Sequence, residues 1–102
     1  VDETAAGDVV WSPSRQRGFL RIEGLTANDP AASRYQVWII DGDRGTPVPG
    51  GTFDVQAGGE VVVPILPRGF VEGPRMFAVT LEPADAGRDG AFDREKVVAR
   101  AE

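Results

Sequence analysis

The sequence predicts an all-β domain: an antiparallel two-sheet β-sandwich, immunoglobulin-like in outline, with about seven strands. Three observations predict it. Thirteen glycines and eight prolines break up the 102 residues. Between them lie short runs rich in Val, Ile, Phe, Trp and Tyr, the pattern of many short strands joined by turns. No segment has the length and period of a convincing long helix, which leaves packed antiparallel sheets as the way to bury the apolar residues. A chain of this length holds one hydrophobic core, so residues 1–102 are expected to form a single domain, with 1–7 and 101–102 flexible.

The first run is Asp8 to Ser12, carrying Val9, Val10 and Trp11 and stopped by Pro13. Ser14 to Gly18 reads as a hairpin loop. Phe19 to Leu25 follows, with Leu20 and Ile22 on one face and Phe19, Arg21 and Glu23 on a mostly wet one. Thr26 to Ser33 is a connection, because Pro30 pushes Asp29 away from helix. Arg34 to Asp41 is the strongest strand. Tyr35, Val37 and Ile39 line one face, while Trp38 and Ile40 line the other beside Gln36. Apolar residues on both faces predict a strand covered on both sides.

Asp41 to Gly45 and Pro47 to Gly51 read as turn chemistry. Thr52 to Gln56 alternates, with Phe53 and Val55 inward. After Ala57-Gly58-Gly59, the run Glu60 to Leu66 puts Val61, Val63 and Ile65 on one face. Pro64 cannot donate to a ladder, so this strand is an edge or carries a bulge. Pro67 to Pro74 is a loop with Phe70 and Val71 tucked under it. Arg75 to Pro83 is the second strong strand, with Phe77, Val79 and Leu81 inward and Met76, Ala78, Thr80 and Glu82 opposite. Ala84 to Gly90 is a loop. The last segment is ambiguous. Phe92, Asp93 and Val97 fit a capped helix with a hydrophobic staple, whereas Val97, Ala99 and Ala101 alternate as in a strand. A closing strand is favoured, since a sheet needs its edge filled.

Charge and composition narrow the function. The net charge is −5, with acids spread along the chain and ten arginines scattered among them. A nucleic-acid partner would call for a concentrated positive face, so none is expected. There are no cysteines and therefore no disulfides. There are no histidines, which removes the commonest general base and transition-metal ligand. No stretch approaches the ~20 apolar residues of a membrane span, and no signal peptide is present. The only methionine is Met76, so the chain reads as a processed product or as a piece of something longer.

Candidate chemistry was weighed against plain surface. Asp41-Gly42-Asp43-Arg44-Gly45 resembles the opening of a calcium loop, but the position for a bidentate glutamate is Thr52. A glycine-rich turn explains it as well, and Asp85 to Gly90 reads the same way. Paired carboxylates for glycoside chemistry are less economical than solvated acids on wet strand faces. Ser12, Ser14 and Ser33 lie in polar contexts with no histidine to activate them, and Lys96 shows no apolar pocket. The expectation is a non-catalytic domain with no cofactor and no metal. Trp11, Tyr35 and Trp38 could form a carbohydrate platform. A tryptophan on a central strand is more often core, and its indole N–H then needs a buried partner.

Three segments together resemble a known family. Tyr35-Gln36-Val37-Trp38-Ile39-Ile40-Asp41 resembles the Y-Q-x-W-hydrophobic strand of the C-terminal extracytoplasmic domain of anti-sigma-K-type (RskA-like) anti-sigma factors. Phe77-Ala78-Val79-Thr80-Leu81-Glu82-Pro83 resembles that domain's A-V-T-x-E-P strand. Pro47 to Phe53 sits where the family approaches a G-x-F strand, and Val10 to Pro13, Gly18 to Leu20 and Gly24-Leu25 also fit. The likeness covers roughly residues 7–84. Ala84 to Gly90 departs from it, lacking the family's serine-containing turn and its P-T step.

The resemblance implies a context. Members carry a cytoplasmic segment that binds an extracytoplasmic-function sigma factor, then one transmembrane helix, then this domain outside the bacterial membrane. It implies a regulatory role that ends in cleavage by a site-specific protease and sigma release. The sigma-binding residues and the anchor would both lie outside this chain. No catalytic residue is carried over. The matched Tyr35, Gln36, Trp38, Thr80, Glu82 and Pro83 are expected to hold the fold, with Glu82 accepting a hydrogen bond near the following turn. The alternative is a secreted sandwich module that binds carbohydrate or protein through exposed aromatics.

Overall fold

Alternating side chains and frequent turns do produce strands along the whole chain. The structure, a computed structural model, describes residues 5–42, 47–56, 59–84, 92–93 and 96–101. The strands are β1 (Ala5–Ser12), β2 (Arg17–Glu23), β3 (Ser33–Asp41), β4 (Val48–Phe53), β5 (Glu60–Ile65), β6 (Pro74–Pro83) and β7 (Val97–Ala101). All seven belong to one sheet, in the order β4-β3-β6-β7-β1-β2-β5. Every pairing is antiparallel except β1 with β7, which is parallel. The two ends of the sheet come round to each other. Just beyond β5, Leu66 N–H donates to the Gly50 carbonyl of β4 at 2.9 Å, and Arg68 N–H donates to that of Pro49 at 3.0 Å.

The fold is therefore a nearly closed seven-stranded barrel, and the predicted two-sheet antiparallel sandwich is corrected. Alternation records only which side chains of a strand point inward. It does not record which strands are neighbours, and a sandwich and a barrel ask for the same alternation. The deciding pairing is β7, which inserts between β6 and β1 and joins what would otherwise be two sheets. The favoured closing strand is present as Val97–Ala101. Of the ends expected to be flexible, Ala5–Gly7 pairs with β7 and Ala101 with Phe77 of β6.

The inward residues of all strands meet in one core. Leu20 and Ile22 from β2, Val37 and Ile39 from β3, Val63 and Ile65 from β5, Phe77 and Val79 from β6, and Ala99 and Ala101 from β7 are all buried. Each fully buried Val, Leu, Ile or Phe among them contributes about 1.5–3 kcal/mol. Trp11 tilts against Phe77 with ring centroids 5.9 Å apart, and Tyr35 stacks on Phe53 at 5.3 Å.

Three expectations about elements change. Pro47 to Gly51, read as a turn, supplies most of β4, which ends at Phe53 instead of beginning at Thr52. As an edge strand β4 tolerates Pro49. The register slips between Gln36 and Trp38, leaving Gly50 and Gly51 opposite Val37 as a bulge. Gly51 has φ +115°, which suits glycine, and a Cβ on Gly50 would lie 3.1 Å from Val37 Cγ1. Leu81, expected inside, is 38% exposed, just past Thr80, where the pairing of β6 with β7 stops. Phe70 is exposed and only Val71 is tucked in.

Side-chain hydrogen bonds anchor the loops. Gln16, at φ 54°, grips Val71 with both ends of its amide: Nε2 donates to the Val71 carbonyl at 2.9 Å and Oε1 accepts the Val71 N–H at 2.7 Å. Asn28 anchors the Asp54–Val55 segment. Its Oδ1 accepts the Val55 N–H at 2.7 Å and its Nδ2 donates to Asp54 Oδ1 at 3.0 Å. Arg34 closes this network with an ion pair to Asp54 at 3.2 Å. The Asn28 hydrogen bond, followed by that from Arg34, holds the Asp54 carboxyl below its ordinary pKa.

Candidate functional site

The resemblance falls mainly on β3 and β6, which lie side by side, second and third from one end of the sheet. Strand alternation sends Arg34, Gln36 and Trp38 to the outside of the barrel. Antiparallel pairing sets Glu82, Thr80 and Ala78 directly opposite them. Ala78 is small, so the Trp38 indole lies over it and reaches diagonally to Thr80. There Nε1–H donates to Thr80 Oγ1 at 2.8 Å, both groups buried. The Thr80 hydroxyl passes its own proton on, donating to Glu82 Oε2 at 2.7 Å. Lys96, just ahead of β7, meets the other carboxylate oxygen at 3.6 Å. Phe92 packs edge-on against Trp38, with centroids 5.5 Å apart.

Trp38, Thr80, Glu82 and Lys96 thus form one polar chain across the outside of β3 and β6 to the start of β7. It supplies the buried partner that the Trp38 indole was expected to need. β3 is covered on both faces, as predicted, but at Trp38 the outer cover is the Phe92 ring instead of a second sheet. Tyr35 lies apart, on the inner face, where its hydroxyl donates to the Thr26 carbonyl at 2.6 Å. Burial raises its pKa above the ordinary tyrosine value. Pro83 ends β6 opposite Ser33, and Ala84 N–H closes the turn onto the Ala32 carbonyl at 3.0 Å.

Beside the polar chain runs an open groove of about 420 Å³, lined by Arg34, Gln36, Thr52, Leu66, Arg68 and Glu82. Gln36 faces into it, its one hydrogen bond within the described residues being a long 3.5 Å contact to the Val37 carbonyl. The groove is open and mixed in polarity, without the pairing of nucleophile and base that covalent chemistry requires.

The other sequence candidates fall elsewhere. The two carboxylate oxygens of Asp41 accept the N–H groups of Glu72 at 2.9 Å and Gly73 at 3.1 Å, so this buried residue caps a loop. Asp43 to Gly45 and Asp85 to Gly90 lie outside the described residues. Among the described residues, no three acidic groups stand close enough to hold a metal ion. Trp11, Tyr35 and Trp38 form no common platform, because Trp11 and Tyr35 turn inward while Trp38 is buried on the outside. Ser12 and Ser14 face each other at 3.5 Å in an exposed turn. Among the described residues no helix is long and apolar enough to cross a membrane.

Sequence reasoning missed two parts of the site. The sequence shows only that Lys96 lacks an apolar pocket, and nothing local in it says that Lys96 reaches Glu82. Asn28 was read as part of a connection. Its neighbour Pro30 gave the turn, but Asp54 and Val55, which it anchors, lie more than 25 positions away.

The comparisons with known proteins agree with the strand motifs. No curated protein and no solved structure matches the chain. The sequence profile of one family, described as anti-sigma-K factor RskA, C-terminal, matches residues 1–90. That span takes in β1 to β6 and the whole of the Tyr35–Asp41 and Phe77–Pro83 motifs. With most of its length matched, the chain belongs to the C-terminal domain family of the anti-sigma-K factor RskA.

Proposed function

We propose that this domain is the extracytoplasmic regulatory part of a membrane-bound anti-sigma factor, controlling release of an extracytoplasmic-function sigma factor without catalysis of its own. The observation that carries the reading is the family match over residues 1–90. Sigma binding belongs to a cytoplasmic segment, and anchoring to a transmembrane helix, both in the remainder of the parent protein. The barrel acts through its folded state. While it is intact, the stalk next to the membrane stays shielded from a site-specific protease. When it opens or changes occupancy, the stalk becomes cleavable.

The polar chain supports this reading because it ties β3, β6 and the approach to β7 together. Loss of any link weakens the junction of β6 with β7, the strand that joins the two halves of the sheet. The six matched residues are accordingly read as structural: Trp38, Thr80 and Glu82 through the polar chain, Tyr35 by holding the β2–β3 connection, and Gln36 and Pro83 by shaping the groove wall. The competing reading, a secreted carbohydrate- or protein-binding module, needs a platform of exposed aromatics. The burial of Tyr35 and Trp38 weighs against it.

The test is co-expression of the full-length parent with candidate extracytoplasmic-function sigma factors, followed by pull-down. Capture of one of them through the cytoplasmic segment is expected. Failure to bind any would remove the proposed function.

A further inference from the structure

The order of the sheet gives β7 a position out of proportion to its size. It is the shortest of the seven strands, five residues long. Yet it lies between β6 and β1 and joins the halves β4-β3-β6 and β1-β2-β5. On one side it pairs with Phe77 to Thr80 of β6, with a register shift between Val79 and Thr80. On the other it pairs with β1 at Ala5 to Gly7.

The hold of β7 on the core is slight. Ala99 and Ala101 are its buried side chains, Val97 and Val98 are partly buried, and Arg100 is exposed. Apolar stabilisation scales with the area buried, and an alanine offers one methyl group. Backbone hydrogen bonds exchanged for water cost little net, and freed residues regain conformational entropy. Outside the ladder, the ion pair of Lys96 with Glu82 at 3.6 Å ties the approach to the strand. β7 is also the last strand of the sheet, so it can leave without pulling another strand with it. β4, at the sheet's end, is held differently. Its Val48 is buried, its Phe53 stacks on Tyr35, and Pro49 and Gly50 accept the bonds from Arg68 and Leu66.

A second observation lies beside this strand. Phe77, paired with Ala101, packs against the Trp11 ring. The Trp11 Nε1–H is buried with no hydrogen-bond partner among the described residues. A buried donor without an acceptor destabilises the closed form relative to any form in which water reaches it. We propose that β7 is a releasable strand. It undocks from β6 and β1 as a unit while the other six strands stay folded, and this opens the barrel wall beside Trp11. The two halves stay joined by the Leu66 and Arg68 N–H groups and by the β2–β3, β4–β5 and β5–β6 connections. The proposal stands on the fold and does not rest on the regulatory reading.

Native-state hydrogen exchange of the chain, followed by nuclear magnetic resonance at low urea concentrations, tests it. The protected amides of Val97 to Ala101 should exchange at least about tenfold faster than the slowest amides of β2 and β3. Their urea dependence should be shallower, because less surface is exposed than in global unfolding. Amides of β7 as slow as the slowest of β2 and β3 overturn the proposal. The chain has no cysteine, so one disulfide can fix the strand. Val79 and Ala99 are paired and both buried, and paired residues lie at a spacing that a disulfide spans. In the double variant Val79→Cys, Ala99→Cys, oxidation should bring the β7 amides down to the rate of β2 and β3. It should also slow the Trp11 indole N–H at least about tenfold, and reduction should restore both rates. Oxidation that leaves the β7 amides fast, or the indole proton unmoved, overturns the proposed opening.

Discussion

Replacing Thr80 with valine removes one hydroxyl from a buried position that is otherwise filled without change of shape. The hydroxyl accepts from Trp38 Nε1 at 2.8 Å and donates to Glu82 Oε2 at 2.7 Å. Valine leaves the indole N–H buried with no acceptor, at a cost of about 1–3 kcal/mol. Glu82, whose side chain is only 13% exposed, is left with Lys96 at 3.6 Å. Loss of that second bond adds about 1 kcal/mol. The sum is about 2–4 kcal/mol, a large fraction of a total stability of about 5–15 kcal/mol, and corresponds to a fall in Tm of roughly 10–20 °C for a domain of this size. Urea unfolding followed by tryptophan emission measures it directly. A double-mutant cycle isolates the mechanism. Trp38→Phe removes the orphaned donor, so Thr80→Val should cost at least about 1 kcal/mol less in that background. A Thr80→Val cost under about 0.5 kcal/mol, or strictly additive costs in the cycle, would refute the reasoning.

Three more outcomes are expected. Gln16→Ala removes both bonds to Val71 and should cost about 1–3 kcal/mol, with faster hydrogen exchange at the Val71 amide as the local signature. Tyr35→Phe should cost about 1 kcal/mol at neutral pH through loss of the bond to Thr26. It should also flatten the alkaline limb of the stability curve. The folded pKa of Tyr35 is raised, so its contribution is complete below the unfolded value of 10.0 and is lost as pH climbs from there through the folded pKa. Asp54 has the opposite sign. Its folded pKa is lowered from 3.8, so its contribution is complete above that value and disappears as pH falls through the folded pKa. Asp54→Asn should therefore shallow the acid limb in a pH series of urea melts, and an unchanged acid limb would count against the Asn28–Asp54–Arg34 network.

What could be read from the sequence, and what could not, divides along physical lines. Local periodicity identified β2, β3, β5 and β6, since period-two alternation is written in consecutive residues such as Leu20 and Ile22 or Phe77 and Val79. It failed at β4, where two prolines and two glycines mimic a turn and only the edge position and the bulge at Gly50-Gly51 make them a strand. It could not distinguish barrel from sandwich, because neighbour identity is a long-range property. The need of the Trp38 indole for a partner was legible from its chemistry. Thr80 as that partner was not, lying 42 positions away. The family motifs did pick out Trp38, Thr80 and Glu82 as matched residues, though without saying that they are neighbours or that a shared hydroxyl connects them. The loop expected at Ala84 to Gly90 falls outside the described residues except for Ala84, whose N–H bonds the Ala32 carbonyl.

The account depends on the barrel's folded state controlling the fate of its parent protein. The direct measurement is sigma-dependent transcription, with cleavage of the parent followed on immunoblots, in cells carrying full-length protein with Thr80→Val in this domain and the cytoplasmic segment untouched. A rise in both cleavage and transcription at equal synthesis, reversed by blocking the protease, is the predicted result. Transcription and cleavage that stay at wild-type levels while the purified variant domain is demonstrably destabilised would contradict it.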